Sequence, residues 1–152
     1  GAVQGIIDLH QAGLVKSTSC MTNKPNWPQA AAYLRDHPEL GAGVHLVLND
    51  GSPVLPPDRV PALLNKEGQF QNDAQILRNV RPGATKQLRA EFEAQIERFR
   101  QDVGRMPDHL DNHCSVSYVR PDRFGVTLDL ARKYDLPIRA PFGDDFEEQV
   151  PQ

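Results

Sequence analysis

The feature that most constrains this chain is a repeated switch between helical and extended hydrophobic periodicity. Val3, Ile6, Ile7 and Leu14 recur at helical spacing over Ala2 to Gly13, with Gly13 placed as a C-terminal cap. Val15 to Met21 follows as a short strand stopped by Asn23-Lys24-Pro25. Asn26 can cap a second helix, Pro28 suits its first turn, and Ala30, Ala31 and Leu34 form its inner face. His37-Pro38 ends it, because a residue before proline is pushed out of helical geometry. Gly41 to Leu48 carries apolar residues on both faces, as a strand buried on both sides does. Leu88, Phe92, Ile96, Phe99 and Val103 mark the clearest helix, from about Thr85 to Val103. A brief strand is expected near His109 to Asp111, then a helix from Pro121 with Phe124, Leu128, Ala131 and Tyr134 inward, then a strand over Leu136 to Ala140. Asp144 to Glu148 reads as a solvated acidic tail. Helix and strand alternating in this way imply an α/β fold with a mostly parallel sheet and helices outside it, either a (β/α) barrel or an open sheet.

One segment breaks the pattern. Asn49 to Phe70 contains Pro53, Pro56, Pro57 and Pro61, which forbid a regular element, yet also Val54, Leu55, Val60, Leu63 and Leu64, which need burial. A loop of this length in a compact domain is a lid, a binding loop or disorder; here a packed excursion over a strand end is expected. Leu, Ile, Val and Phe make 38 of the 152 residues, enough for one folded domain over 1–152. The net charge of −3 with scattered Lys and Arg leaves no basic face for nucleic acid or an anionic membrane. No run of apolar residues is long enough to span a bilayer. Cys20 and Cys114 are too few for a disulfide framework, and no leader pattern stands at Gly1, so a reducing, cytoplasmic setting is expected.

Three clusters carry chemistry. Gly43-Val44-His45-Leu46 sets a histidine among apolar residues near a strand end. By itself, that is the setting of a core histidine bonded to a carbonyl. His109-Leu110-Asp111-Asn112-His113-Cys114 ends the next strand, and alternation puts His109, Asp111 and His113 on one face if the strand persists. Two imidazoles and a carboxylate suit Zn²⁺ and related ions; a polar loop with a capping Asp or Asn is the plainer alternative. Because parallel strands present their C-terminal ends to one rim, His45 and His113 can share one ion. Arg139, at the end of the last strand, could orient a carboxylate or a substrate oxygen. His10 and His37 fall on helix surfaces, and Trp27 is either core or a sugar-stacking platform. No GxSxG, P-loop or GxGxxG pattern occurs.

Gly1 to His10, Leu14 to Ser19, His37 to Leu46 and Pro107 to His113, in that order, resemble the YdjC/ChbG-like carbohydrate deacetylases, which include members associated with hopanoid biosynthesis. The resemblance covers nearly the whole chain, and Gly-Val-His-Leu and His-Leu-Asp-Asn-His are its most specific pieces. It implies an α/β barrel and removal of acetyl groups from N-acetylated sugars with a divalent metal, Mg or Zn. Position by position, the metal-binding histidines of the family fall on His45 and His113. The family pattern also has an Asp-Asp pair, one a ligand and one the general base, and that pair falls ahead of Gly1. Further family histidines give way here to Cys114, Ser115 and Ser117. Arg139 and Asp111 are the catalytic candidates left within these residues, Asp111 and His109 also serving as supports for the metal-binding histidines.

The expected function is therefore metal-dependent hydrolysis of N-acetylated sugars or oligosaccharides, with these 152 residues inactive by themselves. A non-catalytic carbohydrate-binding or scaffold protein on the same barrel is the alternative. The expected partner is an N-acetylated carbohydrate, with neither nucleic acid nor membrane. An opening strand missing from the sheet would leave an edge that invites pairing with a second copy, a homo-oligomer.

Overall fold

The structure, a computed structural model, describes residues 1–78, 83–115, 118 and 120–139. Its helices are α1 (Ala2–Gln11), α2 (Trp27–Asp36), α3 (Asp73–Arg78), α4 (Ala84–Val103) and α5 (Pro121–Tyr134). Three strands, β1 (Ser17–Cys20), β2 (Gly41–Leu46) and β3 (Leu110–Asn112), form a parallel sheet in the order β1-β2-β3. The register pairs Ser19 with Gly43, Val44 with Leu110 and His45 with Asp111. A closed barrel is not present among the described residues. The expected strand over Leu136 to Ala140 is one parallel bridge, Ile138 to Leu110, and Ala140 lies outside the described residues. So does the expected acidic tail, Asp144 to Glu148.

The core follows the strongest periodicity. Leu88, Phe92, Ile96, Phe99 and Val103 of α4 are all buried, packed with Trp27, Ala31 and Leu34 of α2 and with Ala42, Val44 and Leu46 of β2. Trp27 is 1% exposed and its indole N–H donates to Asp102 at 2.6 Å, so it is core and not a sugar-stacking platform. Gly104 ends α4 at φ 82°, a left-handed position that glycine takes without cost.

Two helices depart from expectation. The buried side of α5 is Val126, Thr127, Leu130 and Ala131, whereas Phe124 and Leu128 are only partly covered. The turn of the helix is set by Arg123, which is buried and donates to the Ile76 carbonyl of α3, a short helix the sequence pattern did not mark. In α1, Val3, Ile6 and Ile7 are only partly covered and no residue is fully buried. A cavity of about 360 Å³ lies between α1 and the β1–α2 side of the sheet, reaching His45 at one wall.

The proline-rich excursion is packed. Short 3-10 turns at Pro57–Arg59 and Pro61–Leu63 carry Val60, Ala62 and Leu63 inward, and Leu64 bridges Phe70. Its backbone N–H groups, which cannot join a sheet, are taken by α4: Glu91 accepts from Val54 at 2.8 Å and Leu55 at 3.0 Å, and Gln87 accepts from Ala62 at 2.7 Å. Gln95, 1% exposed, accepts from Val47 N–H at 3.0 Å and donates to Val47 C=O at 2.9 Å. Its amide thus does for the chain leaving β2 what a neighbouring strand would do. Replacing it by Leu strands two buried backbone groups, each worth about 1–3 kcal/mol. Gln95→Leu is expected to cost about 2–5 kcal/mol in urea denaturation; a change under about 0.5 kcal/mol would refute the role given to the amide.

Candidate active site at the C-terminal rim of the sheet

Parallel pairing of β2 with β3 sets residues of equal register side by side on one face. His45 and Asp111 are such a pair, and the His45 Nδ1 and Asp111 carboxylate are hydrogen-bonded. A carboxylate only accepts, so Nδ1 carries the proton and Nε2 keeps its lone pair. That free nitrogen lies 3.2 Å from Nδ1 of His113, the ring centroids being 5.2 Å apart. The two histidines, 68 positions apart in the chain, meet side by side.

His113 reaches His45 in a different way from that expected of a continuing strand. β3 ends at Asn112, and His113 begins a 3-10 turn whose next residue, Cys114, has φ 52° and ψ 29°. A left-handed non-glycine residue is uncommon and costs about 1–2 kcal/mol. Here the bend falls directly after the histidine, ending the strand's alternation.

One row below, His109 Nε2 lies 2.9 Å from Ser19 Oγ, and Ser19 donates to Asp111 at 3.0 Å. The hydroxyl has one proton and gives it to the carboxylate, so it accepts from His109 Nε2–H. The result is a chain, His109 to Ser19 to Asp111 and Asp111 to His45, spanning all three strands. It passes across β2 because Gly43 has no side chain. A Cβ there would fall within the His109 ring, closer than any van der Waals contact. The glycine of Gly43-Val44-His45-Leu46 is therefore the gap through which β3 touches β1.

Electrostatics match this arrangement. Burial pushes the Asp111 carboxyl up, but hydrogen bonds from His45 and Ser19 and the nearby histidines outweigh it, leaving it below the usual carboxylate range. Asp111 is ionised at neutral pH. Burial and then the neighbouring His45 hold His113 below the ordinary imidazole value, keeping it neutral with a lone pair to offer. Burial, with Asp111 adding, pushes the Cys20 thiol up to about 11. Cys20 is no nucleophile at neutral pH. Arg139 is 74% exposed and its guanidinium stands 4.0 Å from Asp111, too open for the ion pair to weigh in stability.

The structure thus brings His45, Asp111 and His113 together, with His109 supporting and Arg139 at the margin. Ser19 was given no role from sequence, although it ends Leu14 to Ser19, one of the segments that carry the resemblance. The Lys24–Asp50 ion pair stands at the same rim, where both charges act on His113. It brings the first residues of the proline-rich excursion to the site.

An α/β protein with a parallel sheet and a histidine–carboxylate cluster at its C-terminal rim is the class so defined. The chain belongs to the YdjC-like protein family, whose description matches residues 1–151. It is 40% identical over 139 residues to a carbohydrate deacetylase of Geobacillus stearothermophilus, covering 91% of this chain and 54% of that protein. To a carbohydrate deacetylase of Halalkalibacterium halodurans it is 38% identical over 143 residues, covering 93% and 59%. A crystal structure from Enterococcus faecalis V583, described as a cellobiose-phosphate cleavage protein, superposes with a TM-score of 0.81 at 36% identity, over 96% of this chain and 57% of that one. The chain spans little more than half the length of these relatives.

Gly43→Ala is expected to expel His109 from its contact with Ser19 and to cost about 1–3 kcal/mol by overpacking. Ser19→Ala breaks the same link without the clash. The His109 ring resonances should move in both variants, and the denaturation midpoint should fall further in Gly43→Ala; an unshifted His109 in both would exclude the chain.

Proposed function

We propose that the protein containing this chain is a metal-dependent hydrolase that removes acetyl groups from N-acetylated sugars or oligosaccharides. The observation that carries this reading is the 3.2 Å separation of His45 Nε2 and His113 Nδ1, with Asp111 bonded to the far side of His45. Two nitrogens bound to one ion at about 2.0–2.1 Å in tetrahedral geometry stand about 3.3 Å apart. A carboxylate on the outer nitrogen of a ligating histidine fixes its tautomer and raises its basicity. The donor set therefore fits Zn²⁺, and Mg²⁺ is the alternative ion. In the family pattern the remaining ligand and the general base are the Asp-Asp pair that falls ahead of Gly1.

When bound, a divalent ion supplies Lewis acidity toward the amide carbonyl and a water of lowered pKa. The chain's own residues do the rest. His45 and His113 hold the ion, and Asp111, ionised and without a proton to give, positions His45. His109 and Ser19 keep Asp111 aimed. Arg139 reaches from the margin, exposed enough to meet a substrate oxygen or to orient the base. The head of the Asn49 to Phe70 excursion, fixed by Asn23 to the carbonyls of Asp50 at 2.9 Å and Ser52 at 3.1 Å, forms one wall of the sugar cleft.

The reading extends to the whole protein. The edge of β1 away from β2 pairs with no strand among the described residues, and the superposition on a larger relative supports closure into a (β/α) barrel of which residues 1–152 form part of one domain. An edge left open would offer the surface for a homo-oligomer. Cys20 and Cys114 are free thiols and no described helix is long and apolar enough to cross a membrane, which supports a cytoplasmic setting.

The test is acetate release from a panel of N-acetylated mono- and oligosaccharides by the full-length protein, before and after chelation. Activity should vanish with chelator and return with Zn²⁺ or Mg²⁺. Asp111→Asn should lower kcat/KM by about 10–100-fold, His45→Ala and His113→Ala by more, and residues 1–152 alone should release none. Metal-loaded full-length protein that binds these glycans without turnover would establish the non-catalytic binding protein instead.

A further inference from the structure

Two histidines that the sequence sets on helix surfaces meet at the other rim of the sheet. His10 lies in the last turn of α1, His37 caps the end of α2, and Glu39 stands two residues before β2. His37 Nδ1 donates to Glu39 Oε1 at 3.0 Å, a proton that an ion bound between them would displace, and His10 Nε2 is 3.9 Å from the same oxygen. One nitrogen from each ring and one carboxylate oxygen all lie within 4.8 Å of one another.

The cluster is held from outside. His10 Nδ1 is 2.7 Å from the Tyr33 hydroxyl, and the Tyr33 ring stacks on His37 at 4.1 Å between centroids. The Tyr33 hydroxyl anchors the His10 ring at Nδ1 and leaves Nε2 on the side of Glu39. This is the arrangement in which an outer partner fixes the ligating nitrogen of a histidine. The His10 side chain is 12% exposed, His37 35% and Glu39 60%, so water can fill the remaining positions.

We propose that His10, His37 and Glu39 form a second divalent-metal site, for a borderline transition ion of the Zn²⁺, Ni²⁺ or Cu²⁺ class. Two imidazoles and one carboxylate favour these ions over Mg²⁺ and Ca²⁺, which bind oxygen-richer shells more readily. The site is separate from His45 and His113. It lies at the start of β2 and they at its end, about 15–20 Å away at about 3.3 Å per strand residue. Its role is that of a clasp. α1 has no fully buried residue and borders the open cavity, so an ion joining His10 to His37 and Glu39 fastens it to α2 and the sheet.

The inference is tested with metal-stripped full-length protein carrying His45→Ala and His113→Ala, which removes the other site. Zn²⁺ titration by calorimetry should give one equivalent and slow amide exchange in α1. Adding His37→Ala or Glu39→Gln should weaken binding at least about tenfold. In the unsubstituted protein, Cu²⁺ should broaden the amide resonances of Gln11 and Leu40, which does not depend on how the variants fold. Binding only at millimolar ion, binding indifferent to His37→Ala and Glu39→Gln, or unbroadened Gln11 and Leu40 resonances would overturn it.

Discussion

The pairing of β2 with β3 is the constraint on which the site depends. Parallel register between His45 and Asp111 puts an ionised carboxylate against one imidazole nitrogen and leaves the other free. A shift of one residue would turn every side chain to the opposite face and dissolve the cluster. The packing that fixes this register is remote from the chemistry. Val44, Leu46 and Leu110 are buried between strands and α4, and Gln95 seizes the backbone of Val47 just past β2.

Polar residues along α4, some of them inside the core, do much of the positioning. Glu91 and Gln87 gather the N–H groups of a proline-rich segment that cannot gather them itself. Burial pushes the Glu91 carboxyl above its usual range even though Gln95, Val54 and Leu55 all donate to it. An irregular segment with its backbone satisfied in this way can bring Asp50 to a fixed place beside the site, and a disordered loop could not.

The two histidine clusters differ in a way that matters chemically. At the C-terminal rim, His45 and His113 stand on or just after buried strands, with an ionised Asp111 behind one of them. At the opposite rim, His10 and His37 stand on helix ends, with a neutral phenol behind His10 and an exposed Glu39 facing both. The first set is preorganised by the sheet and the second by the meeting of two helices.

Much of this was legible in the residues themselves. Alternating periodicities determined an α/β fold with parallel strands, and the four-four-three-four spacing from Leu88 to Val103 marked the helix that carries the core. A histidine among apolar residues in Gly-Val-His-Leu and the density of His109 to His113 marked the site, because strands of a parallel sheet end at a common rim. Tertiary structure decided the remainder. It rotated α5 about Arg123, and reduced the last expected strand to a bridge at Ile138. It ended β3 at Asn112, brought His113 beside His45 and turned the chain left-handed just after it, at Cys114. It also recruited Ser19 through the space above Gly43 and brought His10 to His37. Each depends on atoms from segments distant in the chain, where spacing along one strand or helix says which way a side chain points but not what it will meet.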